Sequence, residues 1–300
     1  MFADYAYVLL NRAMWLIFAM SCALADCLAT ICSKQLMKRK QNPLSVSLFV
    51  HGAGTLALLG IIIASNKTII ITQTSLALVA LTALIATIAG LAILFSLKKG
   101  DLSLISPIQT TTPLIILMLA IFFLSETPKP VGLVGIILVV VGGIVLDKNP
   151  RESFASLARR IVSYKPALLA LFGASMYAVV AVLDEVGLKS VNPLLWMFYV
   201  YFFIFVFLLP VAWYRGSIEI KKLSRSKSTL GLTVLFALGA IYFQMQALAI
   251  GNVTYVMSIK RLSTVFTVLI AIFIIKEKRA MSRLRGTIIM VIGAILIGLS

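Results

Sequence analysis

Histidine occurs once, at position 51, and acidic residues only ten times in 300 positions. That scarcity excludes much of catalysis, because general acid–base chemistry and metal ligation draw chiefly on these groups. The chain has no His-Glu-x-x-His, no Gly-x-Ser-x-Gly and no phosphate-binding Gly-Lys-Ser/Thr loop. Metallopeptidase, serine-hydrolase and ATP-driven chemistries therefore lack their local signatures. Cysteine is scarce as well. Cys22, Cys27 and Cys32 share one apolar segment, and steps of five turn a helix by about 140°, so the three thiols do not converge on a metal. No catalytic residue, metal or cofactor is expected. Long polar stretches are also missing: the longest runs from Asp147 to Lys165, and no segment reads as a separate soluble domain.

What is abundant is apolar. Hydrophobic residues make up 61% and charged residues 12%, with a mean hydropathy of +1.07. Roughly half is the usual apolar share of a soluble domain, so the chain is read as membrane-integral and multi-pass, in a cell (inner) membrane. The net charge of +17 suggests an anionic partner. The basic residues sit in short clusters between apolar runs, which fits loops at an anionic bilayer surface rather than nucleic acid. The expected partners are the lipid bilayer and a small-molecule substrate, for a monomer or homodimer.

Apolar runs able to cross about 30 Å of hydrocarbon predict an all-α chain of ten transmembrane helices. They fall near 13–33, 45–64, 74–97, 102–124, 131–146, 166–188, 194–214, 229–249, 253–275 and 284–299. Ala23-Leu24-Ala25 resembles a signal-peptide cleavage site. Cleavage there would delete the first helix and break the duplication described next, so the segment is read as a retained helix.

Residues 96–146 lie ungapped on 247–297 at an offset of 151, with thirteen of 51 pairs identical. The telling matches are Gly100/Gly251, Glu126/Glu277, Gly135/Gly286 and Gly142/Gly293. Asn42-Pro43-Leu44 recurs as Asn192-Pro193-Leu194, so the duplication reaches nearly the whole chain. The expected domains are a first five-helix repeat over 13–146, a linker over 147–165 and a second repeat over 166–299.

Five is odd, so the copies must enter the membrane in opposite orientations. The charges agree. Loop 1–2 holds Lys34, Lys38, Arg39 and Lys40, whereas its copy, loop 6–7, holds Lys189 alone. Loop 2–3 holds Lys67 alone, against Arg215, Lys221, Lys222, Arg225 and Lys227 in loop 7–8. The remaining pairs are biased the same way. One side collects 21 basic residues and the other 4, which places the 21 in the cytoplasm and both termini outside. Trp15, Trp196 and Trp213 fall near helix ends, where interfacial tryptophans are expected.

Two inverted five-helix halves resemble the drug/metabolite transporter superfamily, EamA type. The residues that carry the likeness are Gly100-Asp101-Leu102-Ser103, Pro107, Pro113, Ser125-Glu126, Gly135 and Gly142, then Gly251, Glu277, Gly286 and Gly293. The resemblance covers almost the entire chain. It implies a secondary transporter that moves small polar, in one reading anionic, metabolites by alternating access through a cavity between the repeats. It also implies cytoplasmic termini, opposite to the charge count, which we follow. The second half departs from the pattern, with Ser258 and Thr264 where the first has Pro107 and Pro113. Ser258-Ile259-Lys260-Arg261 is similar to the phosphate-gripping Lys-Arg pair of triose-phosphate and nucleotide-sugar translocators. A lipid-linked head-group translocator and a non-transporting membrane scaffold are the other readings.

Ionisable groups inside hydrocarbon cost about 2.5–3.5 kcal/mol each and need a partner or a wet cavity. Lys260 and Arg261 are the expected substrate contacts, helped by Gln109 and Thr110 in the fourth helix and by Tyr242 and Gln244 in the eighth. Pro113 frees the Gln109 carbonyl, which marks the fourth helix as a cavity wall. Asp184 and Glu185 are the carboxylates at similar depth to the cations. Asp26 and His51 lie at matching depth from the cytoplasmic side and are expected to meet as a coupling pair. Structural readings compete throughout: an internal salt bridge, a static pair, plain interhelical bonds. Gly135 with Gly142, and Gly286 with Gly293, are each two turns apart and share a helix face, which suits close packing of the fifth and tenth helices or, as the second reading, dimerisation.

Overall fold

A computed structural model describes residues 2–66, 71–99, 105, 108–147, 159, 161–218, 223–273 and 283–300. The elements are α1 (Phe2–Lys38), α2 (Pro43–Ala64), α3 (Gln73–Lys99), α4 (Thr112–Leu119), α5 (Pro130–Asp147), α6 (Lys165–Leu188), α7 (Pro193–Tyr214), α8 (Lys227–Ile250), α9 (Val253–Lys260), α10 (Ser263–Phe273) and α11 (Leu284–Leu299). Seven of the described spans are long and apolar enough to cross a membrane, with Val253–Ile270 counted as one. Three shorter apolar helices, Ile108–Leu124, Pro130–Leu146 and Leu284–Leu299, complete the expected set. Two expectations change. The first helix runs on to Lys38, so Lys34 and Lys38 ride on its last turns. The ninth is interrupted and forms α9 and α10, and the fourth is likewise interrupted by a turn at Thr111, before α4.

The repeated Asn-Pro-Leu is a helix start used twice. The Asn42 side chain accepts the Leu44 N–H and the Asn192 side chain the Leu194 N–H, both at 3.0 Å. Each proline stands in the first turn, where no intrahelical donor is needed. Asn252 caps α9 in the same way, accepting from the Thr254 N–H at 3.0 Å. Its counterpart Asp101 lies outside the described residues, as do Gly100, Leu102, Ser103, Pro107 and Glu277.

The chain divides into two compact units: Met1–Thr87 with Leu183–Ile250, and Ile88–Val182 with Gly251–Ser300. Each draws helices from both repeats.

In the first unit α1 lies along α8, and α2 packs on α7 and α8. Phe18 stacks on Phe243 with centroids 6.4 Å apart. Gly54 sits under the Tyr201 ring, where a Cβ would come within 2.6 Å. At one end Arg39 and Gln41 donate to Ser226, and Ser45 donates to the Ser217 carbonyl. These bonds tie loop 1–2 to loop 7–8.

In the second unit α5 and α11 form the tightest seam. A Cβ on Gly135 would stand 2.6 Å from the Gly293 carbonyl, and one on Gly142 2.8 Å from the Gly286 carbonyl. Ascending numbers on α5 meet descending numbers on α11, so the helices are antiparallel. Each glycine meets the copy of the other, which is the self-complementary contact of a two-fold relation. Packing by small residues is confirmed, and so is the inversion of these two copies. Ser96 donates to the Pro166 carbonyl at 2.6 Å and Tyr164 to the Lys99 carbonyl at 3.3 Å, joining loops 3–4 and 5–6. The Lys129 N–H donates to the Tyr255 hydroxyl at 3.0 Å, joining loop 4–5 to the start of α9. Within each unit, hydrogen bonds join loops that the charge count assigns to the same side.

Candidate functional site

The second unit holds two interrupted helices in contact, α4 with its preceding turn and α9 with α10. The offset of 151 lays the interruptions on each other. α4 begins at Thr112 and α10 at the equivalent Ser263. The same tight bond closes both turns: Thr111 N–H to the Ile108 carbonyl at 3.1 Å, and Leu262 N–H to the Ile259 carbonyl at 2.9 Å.

Local chemistry explains each turn. Pro113 has no N–H to give, and the carbonyl it releases, that of Gln109, accepts the Thr112 hydroxyl at 2.7 Å. The freed carbonyl thus has a neighbouring side chain as donor. The second copy breaks without proline. There the Thr264 hydroxyl donates to the Arg261 carbonyl at 2.8 Å, and the Thr264 N–H reaches the same oxygen at 3.2 Å.

Lys260 and Arg261 stand at the second break, Lys260 in the last turn of α9 and Arg261 as its C-cap, both partly buried. Their counterparts in the first copy are Gln109, partly buried, and Thr110, buried. Thr110 packs on Gly143, where a Cβ would approach it within 3.0 Å, so it serves helix packing. Cations are favoured at the carbonyl end of α9, and the amide end of α10 begins two residues on. A helix N-terminus beside Arg and Lys is an arrangement that accepts carboxylate or phosphate.

The other expected residues lie in the first unit. Asp26 and His51 share no hydrogen bond or ion pair. His51 Nδ1 lies 2.8 Å from the Ser47 carbonyl, and its ring lies 5.0 Å from that of Tyr201. Matching depth did not bring the two together, because α1 packs on α8 while α2 packs on α7 and α8. Tyr201 stands 150 residues after His51, so these two are the equivalent residues of the copies meeting each other.

Asp184 is buried and accepts the Trp196 indole N–H at 2.8 Å. Trp196 is fully buried, which corrects its reading as an interfacial tryptophan. The signal for this contact is Gly187, where a Cβ would lie 2.1 Å from the indole ring. Glu185, also buried, faces Lys189 at 3.6 Å. Tyr242 and Gln244 do not act together: two residues turn a helix by about 200°, and Gln244 is buried while Tyr242 is exposed.

The order of elements, the doubled interruption and the crossed glycine seam are those of a duplicated chain. The EamA-like transporter family matches residues 13–146 and again 164–299. The chain belongs to that family. It is an integral, multi-pass membrane transporter of EamA type. An uncharacterized protein of Methanocaldococcus jannaschii is 31% identical over 108 residues, which is 36% of this chain and 79% of that one. A solved crystal structure superposes with a TM-score of 0.73 at 14% identity, covering 95% of this chain and 98% of the other. That likeness shows the fold alone.

Proposed function

We propose that this EamA-type chain is a secondary transporter that moves small anionic metabolites by alternating access, gripping them at the interruption between α9 and α10. One observation carries the reading: both repeats break at the same position, and only the second places a Lys-Arg pair there. Interrupted helices at membrane depth are where transporters of duplicated build expose backbone termini to a solute. Arg261 offers a bidentate grip on a carboxylate or phosphate, and Lys260 a mobile second charge. Gln109 stands at the counterpart of Lys260 and supplies a neutral polar group from the other repeat. A scaffold has no use for two cations at such a break, and no feature singles out a lipid-linked head group.

The test is a thermal-stabilisation panel on purified protein with carboxylates, phosphorylated metabolites and neutral solutes, followed by transport of whichever solute binds. Lys260→Gln and Arg261→Gln should each weaken an anionic solute more than about tenfold, or about 1.4 kcal/mol. Thermal unfolding without solute is measured alongside, so that a loss of the fold is told apart from a loss of binding. Folded variants that transport as before would remove this site from consideration.

A further inference from the structure

Two basic runs far apart in the sequence share one place in the first unit. Lys34, Lys38, Arg39 and Lys40 end α1 and its turn, and Arg225 and Lys227 lead into α8; all six are exposed. They are held together from beneath. Arg39 Nη1 donates to the Ser226 hydroxyl at 3.3 Å, and Gln41 Nε2 approaches the same oxygen at 3.5 Å, with Gln41 and Ser226 both buried. The bond from Ser45 to the Ser217 carbonyl brings the end of α7, with Arg215, to the same end of the unit. Across 34–45, 213–218 and 223–229 there is no Asp or Glu.

The depth of this patch is also marked. Trp213 and Tyr214, immediately before Arg215, are 77% and 91% exposed at the end of an apolar helix. Exposed Trp and Tyr at the end of a transmembrane helix sit at the level of the lipid headgroups. Cations clustered at that level face phosphodiesters of the bilayer rather than a soluble macromolecule beyond it.

We infer that this end of the first unit is a binding site for an anionic phospholipid, held through its phosphate by cations from α1, the end of α7 and the start of α8. The site is built from residues of the first unit alone and does not depend on what is transported. Neither basic run alone makes it; the bonds to Ser226 do.

The experiment compares the full chain in phosphatidylcholine nanodiscs with and without phosphatidylglycerol, by thermal unfolding and by native mass spectrometry of retained lipid. Phosphatidylglycerol should raise the unfolding temperature and stay bound. A cation near an anionic surface contributes about fivefold, so the quadruple variant Lys34→Gln, Lys38→Gln, Lys40→Gln, Lys227→Gln should lose more than about tenfold in retention. Arg39 is left in place, so the variant should unfold like wild type in phosphatidylcholine alone. Lys227→Gln by itself should lose about fivefold and guards against a folding defect in the quadruple variant. A matched quadruple in the second unit, Lys98→Gln, Lys99→Gln, Arg283→Gln, Arg285→Gln, should lose clearly less, since it removes surface charge but not the site. Equal losses in the two quadruples overturn the site, as does a wild type indifferent to phosphatidylglycerol. Equal stabilisation by soluble glycerol phosphate overturns the lipid assignment.

Discussion

Trp196 shows how much one side chain depends on its neighbours. Its position at a helix end suggests the membrane interface, yet it is fully buried with its indole on Asp184. Removing that donor in Trp196→Phe leaves a buried carboxylate short of a hydrogen bond, which costs about 1.5–3 kcal/mol. Gly187→Ala forces the ring to shift, at a cost of about 1–3 kcal/mol. Both variants should lower the unfolding temperature while preserving solute preference; a changed preference would move Asp184 into the binding site. His51 and Asp26, lacking a shared bond, should behave independently. Asp26→Asn and His51→Gln are expected to add in stability within about 0.5 kcal/mol. Clear non-additivity in a double-mutant cycle would restore them as a pair.

At the scale of the element, the two interruptions share a position and differ in chemistry. A hydroxyl and a tight-turn bond hold both, and the first has Pro113 in addition. Thr264 is the counterpart of Pro113, so Thr264→Pro gives up the two bonds to the Arg261 carbonyl but suits the first turn of α10, and it should cost less than proline deeper in the helix. Proline at Ile270, inside the same helix, should cost about 3 kcal/mol or more. Comparing their unfolding temperatures checks this, and equal losses would mean that α10 does not truly start at Ser263. The seam between α5 and α11 is equally specific. Gly142→Leu places side-chain atoms against the Gly286 carbonyl and the Met290 backbone, and is expected to abolish folded yield. Gly60, with nothing near its Cβ position, should accept leucine with little loss of yield.

For the whole molecule the testable question is sidedness. The bias of 21 basic residues to 4 predicts loops 1–2, 3–4, 5–6, 7–8 and 9–10 in the cytoplasm. A buried position in these loops, such as Ser226 under Arg39, makes a poor reporter. Exposed Lys227 and Lys129 serve instead. With Cys22, Cys27 and Cys32 replaced by alanine, Lys129→Cys should react with an impermeant thiol reagent in intact cells. Lys227→Cys should react only after permeabilisation, and the reverse pattern would invert the topology.

The number of spans, the duplication, the inversion and the family were legible in the residues themselves. Apolar run length, charge alternation and motif spacing are properties of the chain, and the bilayer selects helices from them. The recurrence of Asn42-Pro43-Leu44 at Asn192 already marked two helix starts, and the spaced glycines already marked α5 and α11 as partners. The partner of each helix was another matter. Depth follows from counting residues, but lateral neighbours follow from packing, and that is why Asp26 and His51 failed to meet. Nor did the repeats announce that each compact unit would draw helices from both of them. The break at Leu262 has no proline to betray it. Only tertiary contact separated Gln244 from Tyr242, seated Trp196 on Asp184, and gathered two distant basic runs around Ser226, because side-chain partners are chosen by proximity in space rather than by order in the chain.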